Sequence, residues 1–98
     1  MATVRYAHRL AEDIARVAEH LAVHEVSAIG QRIDEIFEAL RVLERHPFIG
    51  RKARPGRREL VIGRGSRGYV ALYRYDEIDD VVEVLALRGQ KEAGLDHG

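Results

Sequence analysis

Two short alternating runs on either side of a glycine-rich turn, RRELVIGRGSRGYVALYRY at residues 57–75, constrain the fold more than any other feature of the chain. Leu60 and Ile62 alternate before the turn and Val70 and Leu72 after it, with Gly63, Gly65 and Gly68 between, which is the pattern of a β-hairpin. A period of two gives each strand two chemically distinct faces. The aliphatic set is expected to face a core, and Tyr69, Tyr73 and Tyr75 are expected to share a second, cationic and aromatic face. Eight basic side chains, Arg51, Lys52, Arg54, Arg57, Arg58, Arg64, Arg67 and Arg74, fall between residues 47 and 75, opposed only by Glu59.

That concentration is hidden by a formal net charge of zero. Residues 1–46 hold six Lys and Arg against eight Asp and Glu, a net −2; residues 47–75 hold eight against one, a net +7; and residues 76–98 hold two against seven, a net −5. Such segregation suits an anionic partner, either nucleic acid or an acidic peptide. The competing reading is internal, with the acidic tail and the Asp79-Asp80 turn neutralising the patch within the fold.

The remaining elements follow from period and punctuation. Thr3 to Tyr6 reads as a first strand. Over residues 8–24 the period becomes helical, with Leu10, Ile14, Val17 and Leu21 in the stripe, alanines widening it, and Glu12, Asp13, Arg16 and Glu19 outside it. Ser27 is the expected N-cap of a second helix reaching about residue 46, carrying Ile29, Ile33, Ile36, Phe37, Leu40 and Leu43 and ended by Pro47. The short connection makes the helices an antiparallel pair. Residues 47–56, with Pro47, Gly50, Pro55 and Gly56, read as a basic surface loop. After the hairpin, a polar connection at 76–80 leads to VVEVLAL at 81–87, whose nearly continuous apolar run suggests a central strand. Residues 89–98 read as a loose tail.

The resulting fold is one α+β domain over residues 1–98, in the order β-α-α-β-β-β, with the helical hairpin packed on one face of a mainly antiparallel sheet and the other face left to solvent or a partner. Leu10, Ile14, Val17, Leu21, Ile33, Phe37, Leu40, Val70, Leu72, Val84 and Leu85 are the expected core. The chain has no Cys, which excludes disulfides and thiolate metal sites. The N-terminal residues have no apolar segment of signal length and no run approaches a membrane span, so a cytoplasmic protein without membrane contact is expected.

Two motifs carry less than they first suggest. GRGSRG at 63–68 fits G-x-G-x-x-G, but dinucleotide binding needs a helix after the glycines, and here a strand pattern follows. His20 and His24 stand at i and i+4 without evident further ligands, so no metal or other cofactor is expected.

The string HPFIGRKARPGRRELVIGRGSRGYVALYRY, followed by VVEVLALRGQKEAG, resembles the RelE/ParE superfamily of bacterial type II toxin–antitoxin toxins, and the resemblance extends over nearly the whole chain. It implies a small toxin neutralised by a cognate antitoxin whose acidic C-terminal segment wraps it and whose N-terminal part binds DNA. RelE-like members cleave messenger RNA on the ribosome; ParE-like members poison DNA gyrase. Matching the hairpin to the ribonucleases puts Val70 where a catalytic Arg is expected, and Glu59 and Val61 where Lys side chains are expected. Relatives with this ending read RHQREAGY, where this chain has Gly89 for the His and Leu95 for the Tyr. Cleavage by 2′-hydroxyl attack needs proton transfer groups as well as cations. The expectation is therefore a ParE-like gyrase inhibitor that contacts its target through Arg51, Lys52, Arg54 and Arg88 and its antitoxin through Phe37, Tyr69, Tyr73 and Tyr75. The alternatives are a ribosome-dependent endoribonuclease using Arg64, Arg67, Arg74, Arg88, Tyr69 and Tyr73, or a degenerate toxin that only binds antitoxin.

Overall fold

The computed structural model describes residues 1–24, 29–64 and 68–90. Strand β1 (Thr3–Tyr6) leads into helices α1 (Leu10–His24) and α2 (Ile29–Leu40), then a short 3-10 turn at Arg41–Glu44, and then strands β2 (Arg51–Arg54), β3 (Arg57–Ile62), β4 (Tyr69–Asp76) and β5 (Val81–Gly89). The five strands form one sheet in the order β1-β5-β4-β3-β2, antiparallel except where β1 runs parallel to β5. This is the α+β order expected, with β5 in the sheet interior, and with one short strand, β2, inside the stretch that reads as loop. Pro47, Gly50, Pro55 and Gly56 punctuate that stretch but leave the four residues RKAR uninterrupted, and Arg51, Lys52 and Arg54 pair with β3 at the sheet edge, with a register shift at Ala53.

Both helices bury the stripes their period dictates. Leu10, Val17 and Leu21 of α1 and Ile36 and Leu40 of α2 are buried, and Ile14, Ile29, Ile33 and Phe37 pack against them. Glu12 and Asp13 in the first turn of α1 complement the positive end of the helix dipole. The α-helical geometry of α2 stops six residues short of the expected end, at Leu40, and tightens into 3-10 so that Leu43 still points inward, fully buried, before Pro47. Ser27, the expected cap, lies outside the described residues.

The sheet reverses one expectation. On β4 the residues facing the helices are Ala71 and Tyr73, both 0% exposed, with Tyr69 and Tyr75 packed against the same core. Val70 and Leu72 therefore lie on the opposite, open face, where Val70 is still buried at 8% exposure and Leu72 half-buried. Alternation identifies two faces but not which one is inward, and here the tyrosines rather than the aliphatic residues of the strand are turned to the core. On β5 the register slips between Leu72 and Tyr73: Leu72 pairs with Ala86 and Tyr73 with Val84, leaving Leu85 as a bulge residue. The inward set thus changes parity along the strand, Val82 and Val84 before the bulge and Leu87 after it, all 0% exposed. That switch explains the nearly continuous apolar run at 81–87.

Asp13 corrects a second expectation. Placed outside the helical stripe by its charge, it is 4% exposed. β1 ends opposite Val84, so among the described residues the last part of β5 has no strand on that side. Asp13 and Arg16 take its place: Leu87 N–H donates to Asp13 Oδ2 at 2.9 Å, and Arg16 donates to Leu87 O at 2.8 Å and to Asp13 Oδ1 at 2.9 Å. The spacing from Leu10 and Val17 already put position 13 on the buried side of α1, and its charge obscured this.

Candidate functional site

The cationic segment is divided by the sheet into two surfaces. On the open face, Arg54, Glu59, Val70, Leu72, Ala86 and Arg88 line a hollow of about 130 Å³ with an apolar floor. Arg51 Nε donates to Glu59 Oε1 at 3.1 Å beside it, and Arg74 Nε donates to Glu83 Oε1 at 2.9 Å further along the same face. Exposed pairs of this kind contribute at most about 1 kcal/mol each, so they arrange charge more than they stabilise the fold. Arg64 is exposed just beyond β3, and Arg67 lies outside the described residues.

The second surface is a groove of about 520 Å³ where Lys52, Arg54, Arg57, Arg58 and Glu77 surround Phe48, Tyr75 and the Pro55-Gly56 turn. Phe48 meets Tyr75 edge to face, with ring centroids 5.2 Å apart, and the Arg58 guanidinium lies 5.1 Å from the Phe48 centroid. Gly56 at the turn has φ +72°, the left-handed conformation that glycine adopts without strain. Of the four expected target contacts, Arg88 thus belongs to the open face, Lys52 to the groove, and Arg54 to both rims, while Arg51 is paired with Glu59.

The aromatic residues expected to meet an antitoxin do not form one patch. Phe37 on α2 packs edge to face on Tyr6 at 5.4 Å. Tyr69 lies at the far end of β4, paired with Gly89. Tyr73 is wholly buried, its hydroxyl donating to Pro47 O and accepting from Gly50 N–H, both at 2.8 Å. It offers no surface to a partner while that loop is in place. Tyr75 donates to Asp80 Oδ1 at 2.6 Å.

These environments also decide what the phenols can do in proton transfer. Burial pushes the Tyr73 hydroxyl above its ordinary pKa, with hydrogen bonding from Gly50 and the nearby Arg58 charge opposing the shift. Hydrogen bonding to the Asp80 carboxylate, followed by burial, raises Tyr75, and burial raises Tyr6. A phenol moved up from the usual value near 10 is a poor base at neutral pH. All four tyrosines face the helix side, and none shares the open face with Arg74 and Arg88.

Phe48 is the residue that sequence reasoning passed over. Its signal was its place between Pro47 and Gly50 in an otherwise basic loop, where an apolar ring has no period to bury it.

The fold is a small α+β domain, two helices on one face of a five-stranded sheet, with a cationic hairpin and an open opposite face. A family profile described as ParE toxin of type II toxin–antitoxin system, parDE, matches residues 4–94, and the chain belongs to that family. Among solved structures, it is similar to a chain of the chromosomal ParDE toxin–antitoxin system from P. aeruginosa, at 19% identity and a TM-score of 0.76, covering 91% of this chain and 96% of that one. It is also similar to a chain of the RelBE2 toxin–antitoxin complex from Mycobacterium tuberculosis, at 22% identity and a TM-score of 0.55, covering 91% and 98%. At these identities both likenesses concern the fold. No curated protein matches the sequence.

Proposed function

We propose that this chain is a cytoplasmic toxin held by a cognate antitoxin and that, once released, it inhibits DNA gyrase without itself catalysing a reaction. The observation that carries the non-catalytic reading is the chemistry of the open face. Among the described residues its cations surround Val70, Leu72 and Ala86, its carboxylates Glu59 and Glu83 are committed to Arg51 and Arg74, and the tyrosines lie on the opposite face. Cleavage of RNA by its own 2′-hydroxyl needs a base and an acid within hydrogen-bonding reach of the reacting oxygens, and cations alone supply only charge stabilisation. The family match and the ParDE-like fold support the same reading, and an excess of cations suits an acidic, wrapping antitoxin segment.

A supercoiling assay run beside primer extension on a translated transcript tests it. Purified toxin is expected to inhibit supercoiling or trap cleaved DNA, with the transcript intact. Reversing Arg54 and Arg88 to Glu is expected to abolish inhibition while shifting stability by only about 0.5 kcal/mol, since both are surface positions. Ribosome-dependent cleavage with intact supercoiling would replace gyrase by messenger RNA as the target, and inactivity in both assays would leave antitoxin binding as the remaining function.

A further inference from the structure

The groove around Phe48 has features that neither the core nor gyrase inhibition requires. Phe48 is 52% exposed, yet the chain on both sides of it is pinned. Tyr73 holds Pro47 O and Gly50 N–H, and Arg58 donates to Phe48 O at 3.2 Å and to Gly50 O at 2.8 Å while lying against the ring. A large apolar side chain left in water by a flexible loop would be unexceptional; one presented by a fixed backbone is pre-organised for a ligand. The groove floor offers that ligand aromatic and small surfaces, Phe48, Tyr75, Ala53 and Pro55, and no Leu, Ile, Val or Met. Such a lining suits a planar ring better than an aliphatic peptide side chain.

The rim adds the charge. Lys52, Arg54 and Arg57 have no side-chain ion pair among the described residues, whereas Arg58 is occupied by the loop carbonyls. Four cations therefore face the single carboxylate of Glu77. From this combination we propose that the Phe48 groove is a binding site for single-stranded nucleic acid, with a base stacked on Phe48 and neighbouring phosphates held by Lys52, Arg54 and Arg57. DNA and RNA share that chemistry, and an acidic protein segment is the rival occupant.

Fluorescence anisotropy with the full-length protein and a labelled oligothymidylate twelve nucleotides long tests the site directly, with an oligouridylate and a polyglutamate of equal charge as parallel probes. No gyrase is present, so the outcome is independent of the target assigned above. Binding is expected to both nucleic acids, or to one of them, and to weaken with salt at a logarithmic slope of about −2 for three phosphate contacts. The double variant Lys52→Ala/Arg57→Ala is expected to lose at least about tenfold in affinity and to flatten the slope toward about −0.7, the value for one remaining contact. Phe48→Ala is expected to lose about tenfold through stacking, and Arg45→Ala, an exposed cation elsewhere, to change nothing. The chain has no Trp, so Phe48→Trp supplies a single reporter whose emission should be quenched saturably by a stacked base. Absence of binding at low salt, polyglutamate binding as tightly as either oligonucleotide, affinity unchanged in the Lys52/Arg57 variant, or unquenched emission from the Phe48→Trp variant would each overturn the assignment.

Discussion

Removing one oxygen atom, by Tyr73→Phe, tests whether the Pro47-to-Gly50 loop is held by the sheet. The phenol is 0% exposed, and its hydroxyl makes two hydrogen bonds of 2.8 Å, donating to Pro47 O and accepting from Gly50 N–H. Pro47 is half-buried and its carbonyl can recover a water, so that bond is worth its net value, about 0.5–1.5 kcal/mol. Gly50 is buried, so its amide is left unpaired at a cost of about 1–3 kcal/mol. The ring and its packing remain, and the expected loss is about 2–3 kcal/mol. Urea unfolding followed by far-ultraviolet circular dichroism should show a midpoint lowered by roughly 1–2 M at unchanged slope. Gly50→Ala probes the contact from the other side, because an added Cβ would stand 2.6 Å from both the Tyr73 hydroxyl and its Cε1, and 2.8 Å from Glu59 O. The two substitutions strain and release the same contact, so the double variant should lose less than the sum of the singles. A Tyr73→Phe loss below about 0.5 kcal/mol, or strict additivity with Gly50→Ala, would show that the hydroxyl does not hold the loop.

Asp13→Ala should cost about 2–3 kcal/mol in the same unfolding experiment, because it strands the buried Leu87 amide and frees Arg16 from one partner, whereas Asp13→Asn, which keeps one acceptor, should lose less. Tyr6, Tyr73 and Tyr75 are all raised above 10.0 in the folded chain, so between that value and their folded values the native state binds more protons than the unfolded one. Their contribution to stability is thus fully present below about pH 10 and is lost as pH rises through the folded values; unfolding midpoints measured across that range should fall, and fall less in Tyr73→Phe.

Element type was legible wherever one period dominated. The stripes of α1 and α2 and the glycine-separated runs of β3 and β4 follow from spacing alone, since burying one face is the main stabilising term for each. What escaped was information that period does not contain. The inward face of β4 depends on which set of side chains the helices and the Pro47-to-Gly50 loop accommodate, and these take Tyr73, whose hydroxyl the loop backbone satisfies. The parity change on β5 depends on the bulge at Leu85, a mismatch between two strands that neither strand's sequence displays. Asp13 was misplaced because charge was weighed above position, although a buried carboxylate with two hydrogen-bonded partners is tolerated. For the candidate site, the concentration of cations in one segment was legible, but its division between two faces was not, because residues 51–54 read as loop and so had no alternation to assign.

That division bears on how one small domain presents the two recognition surfaces proposed for it. The core lies between the helices and one sheet face, and the cations on β2 and β3 stay clear of it either on the open face and sheet edge or, for Arg58 opposite Tyr73, by turning the guanidinium to the Phe48 and Gly50 carbonyls. Arg88 reaches the open face only because the Leu85 bulge turns Leu87 inward and its successor outward. Leu87 is then held from both sides, by Ala71 across the ladder and by Asp13 and Arg16 where β1 has ended. An arginine that follows a backbone fixed in this way starts from a defined position and loses less freedom on meeting a target than one on a frayed strand end would. The buried acid on α1 therefore fixes the backbone behind the open face from the opposite side of the sheet, and on the proposed role of Arg88 Asp13→Asn should weaken inhibition in the supercoiling assay while oligonucleotide anisotropy at the Phe48 groove stays unchanged.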